Sequence, residues 1–600
     1  MTTIETDVDD VTWDLSHLLS GREDAEAAVF ELLDEAAVCA DGVSTVRGTL
    51  AAMDAAALAE VMTSMAELRG LMGRAGAYAS LRFATDTSDA SRGSLMQKVQ
   101  ERATAINAGL IFFDLEWAAL SDEQAEALVG DERLAFCRHH LISARRYKDH
   151  LLSEAEEKIL SEKSVTGIGA WNRLYSEQAS AIEVELDGRT ATLEEGLSRL
   201  SSPDRDVRRA AAEAVTAGLK PGLRTRGFIF NTLLADKATN DRLRGYETWI
   251  SSRNLSNEAP DESVGTLVEA VRKRSDIPQR WYALKARLLG LDRIADYDRM
   301  ASVADSEEEI GWDQARELVL DAYASFSPEM AEGARRFFDE QWIDAPPRAG
   351  KRGGAFCSYT VPSVHPYVFL NWTGRRRDVM TLAHELGHGL HAYLARDQGI
   401  FHQTTPLTVA ETASVFGETV TFGRVLESVA DPADRLALLA TNIEDAIATI
   451  FRQTAMNRFE DLVHTERRTV GELSIDRFGD LWAESQSEML GDAVEITEGY
   501  RTWWSYIPHF IGTPGYVYAY AYGQLLALSV YKQYAEQGSD FVPRYLHMLS
   551  SGGSMAPEEL GKIVGCDLAD PHFWDGGLDI VEQQLDAAET AAFDAGRLTR

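Results

Sequence analysis

The chain predicts a mainly α-helical protein with a few short strands, and three observations carry that prediction. No proline occurs before Pro203, so a long opening stretch lacks the residue that breaks helices by removing an N–H and clashing with the preceding turn. The same stretch is rich in Ala, Leu and Glu, all strong helix formers. Runs with the two-residue alternation of a half-buried strand are scarce along the chain.

Taken in order, Asp24 to Ala40 places Val29, Leu32, Leu33 and Ala36 at helical spacing with acids between them, and Gly42 offers a C-cap. Ile182–Leu186 and Arg189–Leu193 flank Asp187-Gly188, which predicts a hairpin. Ser202-Pro203-Asp204 reads as an N-cap, a proline at the first helical position and an acid in the first turn. The alanine-rich run Val207–Ala217 continues that helix. Ala345 to Gly354, with Pro346, Pro347 and three glycines, reads as a loop. Val364 to Trp372 reads as a strand, and Pro366 inside it predicts an edge or irregular strand. No internal repeat or low-complexity linker interrupts the chain. The organisation expected is an N-terminal helical region over 1–200 and a second region over 201–600 that holds the candidate functional motifs.

Composition narrows the function. The 600 residues are 45% hydrophobic and 26% charged, ordinary for a globular protein. Lys+Arg 59 against Asp+Glu 95 gives a formal net charge of -36, which argues against nucleic acid and anionic membrane surfaces as partners because both demand a cationic footprint. No apolar run approaches the length of a membrane span. The acidic opening Met1–Asp7 has neither the basic nor the apolar segment of a secretory signal. Cys39, Cys137, Cys357 and Cys566 fit no CxxC spacing, and they read as reduced thiols of a cytoplasmic protein.

One segment points to a reaction. His384-Glu385-Leu386-Gly387-His388 follows an apolar lead-in. On a helix, residues i and i+4 share a face, so the two imidazoles can grip one Zn²⁺ while Glu385 reaches an activated water as general base. A zinc site of this kind needs a third protein ligand. Glu411 follows 23 residues after His388, and Glu418 lies two turns further along the same face. One can be the ligand while the other orients a liganding imidazole. A solvated acidic face is the competing reading, opposed by the apolar neighbours Val409, Ala410, Ala413, Val415 and Phe416. Asp378 and His391 are candidates for the layer behind the ligands. Gly387, in mid-helix, suggests a place where a ligand or another backbone passes close.

Further on, His509 precedes Gly512-Thr513-Pro514-Gly515 and then Tyr516, Tyr518, Tyr520 and Tyr522. Phenol and imidazole donors suit the negative charge that develops on a carbonyl oxygen during peptide hydrolysis. An aromatic core stripe is the alternative. As a helix, Tyr516 and Tyr520 share one face, and the glycine-rich loop before them is a candidate hinge.

These segments resemble the thimet-oligopeptidase-like zinc peptidases and, within them, the oligoendopeptidase F group. The resemblance rests on Thr12-Trp13-Asp14-Leu15, Gly354-Ala355-Phe356, Asn371-Trp372-Thr373-Gly374, Arg377-Asp378-Val379, Thr381 to His388, Glu411 to Glu418, Ile507-Pro508-His509-Phe510 and Tyr516-Val517-Tyr518. It implies an almost wholly helical protein of two lobes enclosing a deep channel, of whose wall the 1–200 region would form part, acting on short oligopeptides as a monomer or homodimer. It also implies one Zn²⁺ per chain on His384, His388 and Glu411, with Glu385 as base. His509 with Tyr516 or Tyr520 would act on the substrate, and Tyr518, Gly354 and His365 are candidate substrate contacts. Two rivals remain at this point: a dipeptidyl carboxypeptidase with a similar motif, and a peptide-binding helical protein with a structural zinc that Cys357 could close.

Overall fold

Helices make up 72% of the described residues, in a computed structural model that describes residues 8–598 apart from 23, 165, 304–308 and 571. The acidic opening Met1–Asp7 lies outside the described residues. Two compact units result. One comprises Met1–Lys148, Glu307–Val425 and Val530–Leu568, and the other Asp149–Ser306, Leu426–Ser529 and Ala569–Arg600. These units do not coincide with the expected division at residue 200.

The physical reason is visible in the first unit, whose sheet is covered by the start of the chain. Trp13 packs edge-on against Tyr367 at 5.8 Å, and the Tyr367 hydroxyl donates to the Asp14 carbonyl at 2.7 Å. Leu18 and Leu81 join Tyr367 in one buried cluster. The long helices Ala25–Ser44 and Ala55–Ala84 bury Ala36, Leu58 and Met62 together. Asp24 caps the first by accepting from Ala27 N–H at 3.1 Å. That helix runs through Gly42 to Ser44 instead of ending there. The hydroxyls of Ser44 and Thr45 take up the Ala40 and Gly42 carbonyls, so no left-handed glycine is needed to finish it.

The three-stranded sheet of this unit places Tyr367–Phe369 in the centre, parallel to Ile343–Asp344 and antiparallel to Phe356–Ser358. The expectation of an edge or irregular strand around Pro366 is therefore corrected. Pro366 stands just before the paired residues and costs the ladder no hydrogen bond. The edge strand is Phe356–Ser358, and the helix Arg376–Ala395 packs against both it and Tyr367–Phe369.

In the second unit the hairpin forms as expected, Glu183–Leu186 with Arg189–Thr192. Asp187 and Gly188 both have positive φ, as a tight two-residue turn requires. The following helix, Arg205–Leu219, is capped by Asp204 rather than Ser202, because the Asp204 carboxylate accepts from Asp206 N–H at 2.8 Å. The core gathers Phe230, Phe478, Trp504 and Phe510. Among the described residues no single helix is long and apolar enough to cross a membrane.

Candidate active site

The helix Arg376–Ala395 carries the His-Glu-x-x-His motif at its middle. Asp378 opens the helix: its carboxylate accepts from Thr373 N–H at 2.7 Å, Thr373 Oγ1 at 2.8 Å and Arg375 N–H at 3.2 Å. That corrects the expectation that Asp378 supports a ligand. It satisfies backbone donors at the helix start, where an acid also meets the favourable end of the helix dipole.

His384 and His388 project from one face with ring centroids 4.9 Å apart. The next helix, Leu407–Ser428, returns Glu411 to them. Glu411 Oε2 lies 3.3 Å from His384 Nε2 and 3.4 Å from His388 Nε2. Four-coordinate ligands at ~2.0–2.1 Å from an ion stand roughly 3.4 Å apart, so this donor set has the size and chemistry of a divalent-cation site. Among the described residues it is the one group of three or more such side chains close enough to share an ion.

Carboxylates dominate the electrostatics. Burial opposes a charged His384, yet the hydrogen bonds it donates to Glu411 and Glu418 outweigh this and hold the imidazole pKa well above its ordinary value. Burial likewise opposes a charged Glu411, and the two histidines hold its pKa well below the carboxylate range. The cluster thus calls for positive charge at its centre.

Behind these atoms, His384 Nδ1 donates to Glu418 Oε2 at 3.1 Å, the support expected of the second glutamate. Ser414, fully buried, donates its hydroxyl to Glu411 Oε2 at 2.6 Å. Sequence reasoning missed it, although its place three residues after Glu411 on one helix face was legible. Gly387 is where the two helices meet backbone to backbone. A Cβ there would lie 2.5 Å from Ala413 O and 2.6 Å from Ser414 Cα. His391 is buried, its pKa is pushed down to about 3 by burial and by His388, and it stands outside the ligand cluster.

Glu385 is 7% exposed, and burial raises its pKa, with the two histidines opposing. Two further side chains lie near this place, Tyr359, which sequence reasoning did not single out, and Cys357, which it considered as a closing ligand. Tyr359 has its ring 6.4 Å from His388. Cys357, on the edge strand, has its thiol pKa raised by burial and the nearby Glu385 charge, and it stands outside the group of side chains close enough to share an ion.

The remaining candidates divide. In the second unit, His509, Tyr516 and Tyr520 form one half-buried group. Tyr516 and Tyr520 pack edge-on at 5.1 Å, His509 lies parallel to Tyr516 at 6.1 Å, and Tyr520 Oη is 3.4 Å from His509 Nε2. Tyr518 is corrected: it is fully buried and its hydroxyl accepts from Asn257 Nδ2 at 2.9 Å. His365 is corrected as well. Its Nε2 contacts His17 Nδ1 at 2.8 Å, its Nδ1 lies 3.0 Å from the Pro366 carbonyl, and its ring stacks on Trp342 at 4.1 Å. With both nitrogens engaged and burial lowering its pKa to about 4, it is a neutral packing residue. Gly354 is exposed, has φ +84 and stands two residues before the edge strand.

Comparison with known proteins accords with this geometry. The sequence model of Peptidase family M3 matches residues 198–580, and that of Oligopeptidase F matches residues 116–183. The Bacillus subtilis oligopeptidase PepF is 27% identical over 554 residues, covering 89% of this chain and 80% of that protein. The group B oligopeptidase PepB of Streptococcus agalactiae is 26% identical over 587 residues, covering 96% of each. In fold, the crystal structure of oligoendopeptidase-F from Enterococcus faecium is similar with a TM-score of 0.72 at 22% identity, covering 95% of this chain and 98% of that one. The M3 match runs through the histidine pair and both glutamates, so the chain belongs to peptidase family M3 and is a metallo-oligopeptidase.

Proposed function

We propose that the protein is a cytoplasmic zinc endopeptidase that hydrolyses internal bonds of short, unstructured oligopeptides. The observation that carries this reading is the convergence of His384 Nε2, His388 Nε2 and Glu411 Oε2 within 4.8 Å of one another, with Glu385 beside the first ligand on the same helix. These three side chains would hold one Zn²⁺, the ion that suits two imidazoles and a carboxylate with an open fourth position. When bound, the ion supplies Lewis acidity, polarising a carbonyl oxygen and lowering the pKa of a water in the open position towards ~7.

The rest is done by the chain. Glu418 holds His384 in one tautomer through Nδ1, and Ser414 holds the Glu411 carboxylate. Glu385 takes a proton from the water that attacks the scissile carbonyl carbon and passes it to the amide nitrogen as the C–N bond breaks. His509, with Tyr516 or Tyr520, donates hydrogen bonds to the carbonyl oxygen as it gains charge. The edge strand Phe356–Ser358 suits an extended peptide, which could pair with its backbone.

The test pairs metal content with cleavage. Wild type and Glu385→Gln are assayed for bound zinc and for products from a peptide library of mixed length. Equal zinc in both, internal cuts by wild type, and kcat/KM lower by about 10²–10⁴ in the variant are expected. Release of C-terminal dipeptides alone would replace the endopeptidase by a dipeptidyl carboxypeptidase. Full activity in Glu385→Gln would remove the base assignment.

A further inference from the structure

Glu460 lies on the helix Gln453–Val470 and is 1% exposed. Its Oε1 accepts from Gly515 N–H at 2.9 Å, while Oε2 is buried with no hydrogen-bond partner among the described residues. Burial lifts its pKa to about 8, opposed by the Gly515 N–H and the charge of Arg253. An apolar side chain of similar size would fill this space without desolvating a carboxyl group, so packing alone gives no reason for an acid here.

What the carboxyl grips does give one. Gly515 has φ +73 and stands directly before Tyr516, in the turn that joins His509 to the tyrosines. A Cβ at 515 would meet Ile250 Cγ1, Arg253 Cβ and Trp249 Cζ3 at 3.3–3.4 Å, so the turn is wedged between these side chains and Glu460. Trp249 is itself held by the Glu460 helix: its ring stacks on His464 at 4.5 Å and its Nε1 donates to Asp461 at 3.0 Å. Arg253 Nε reaches the Pro514 carbonyl at 3.4 Å. Of these contacts, the Glu460 bond alone takes the Gly515 N–H, and it is the one nearest in sequence to Tyr516.

We propose that Glu460 is a positioning residue for the His509, Tyr516 and Tyr520 group: by accepting the Gly515 N–H it sets the turn from which Tyr516 projects. This rests on the reading of those three residues as donors to the substrate. Glu460→Gln keeps an uncharged acceptor of the same shape, whereas Glu460→Leu fills the space and leaves the N–H without one.

The experiment measures kcat and KM on an internally quenched peptide, bound zinc, and amide exchange for Glu460→Leu, Glu460→Gln, Tyr516→Phe and His509→Ala. In Glu460→Leu, kcat falls by about 10- to 100-fold with KM and zinc content unchanged. Exchange at residues 512–516 speeds by roughly tenfold or more while the rest of the protein keeps its protection. Glu460→Gln stays within about threefold of wild type in kcat, because it restores the acceptor. Wild-type kcat in Glu460→Leu, or a loss accompanied by faster exchange throughout, overturns the positioning role. If Tyr516→Phe and His509→Ala both keep wild-type kcat, the donor reading fails and the proposal falls with it. If either loses kcat while Glu460→Leu does not, the positioning role alone falls.

Discussion

Replacing Gly387 by alanine should separate the two helices that carry the candidate metal ligands. The added Cβ would lie 2.5 Å from Ala413 O and 2.6 Å from Ser414 Cα. Unstrained contacts of this kind stand at ~3.5 Å, so about 1 Å of room must be made. Both obstacles are backbone atoms of a helix, and no side-chain rotation relieves them. Overpacking of this kind costs roughly 1–3 kcal/mol, and the better helix propensity of alanine returns about 1 kcal/mol. The larger effect falls on the metal. Glu411 sits two residues before Ala413 on the displaced helix, and metal–ligand distances tolerate only about 0.2 Å. Zinc affinity should drop by about 10- to 100-fold, as when a ligand loses its support. Competition with a chromophoric chelator measures that affinity, and a thermal melt measures stability. Gly389→Ala is the control, since its Cβ would meet Phe337 ring carbons at 2.5 and 2.6 Å, and a ring can turn aside. That variant should lose stability and keep its zinc. A Gly387→Ala protein that binds zinc like wild type would refute the argument that the glycine sets the spacing of the ligands.

Two other outcomes follow from the structure. Glu418→Gln removes the anionic acceptor from His384 Nδ1 and should weaken zinc binding by about 10- to 100-fold, with kcat recovered at saturating zinc; unchanged affinity would contradict the role of Glu418. Glu460 should make stability fall with rising pH. Its ordinary pKa is 4.5 and its folded value about 8, so between these the folded protein keeps a proton that the unfolded chain releases. The contribution is whole below about pH 4.5 and gone above about pH 8, an upper bound of roughly 5 kcal/mol at ~1.4 kcal/mol per pH unit. The difference in melting temperature between wild type and Glu460→Gln, read at pH 5 and pH 8.5, should therefore shift against wild type at the higher pH. A constant difference would show that Glu460 does not titrate in this window.

Much of this protein was legible before its structure. The helical class followed from a proline-free opening and from local apolar periodicity, both properties of neighbouring residues. The candidate histidine pair was legible because i and i+4 on a helix must share a face, and Glu411 and Glu418, two turns apart further on, were legible as the two alternatives for a third ligand. Helix ends were less so: Gly42 looked like a cap and is interior, while Asp204 displaced Ser202. Capping depends on which side chain reaches a free N–H, and several neighbours compete for it.

The other roles depended on contacts between distant segments. Asp378 looked like support for the metal and instead caps the start of its own helix. His365 and Tyr518 looked like substrate contacts and are buried by His17, Trp342 and Asn257, residues far away in sequence. Ser414 was legible as a neighbour of Glu411 on one helix face, and the structure added that its hydroxyl donates to the carboxylate. Spacing along one helix is set by covalent geometry and the hydrogen-bonded repeat, so sequence alone determined the pairing of His384 with His388 and the place of Glu385 beside them. Which polar side chain is left facing a ligand is decided by what packs over it, and only the tertiary structure decided that Glu411 meets both imidazoles, that Gly387 lets a second backbone in, and that Glu460 holds the turn before Tyr516.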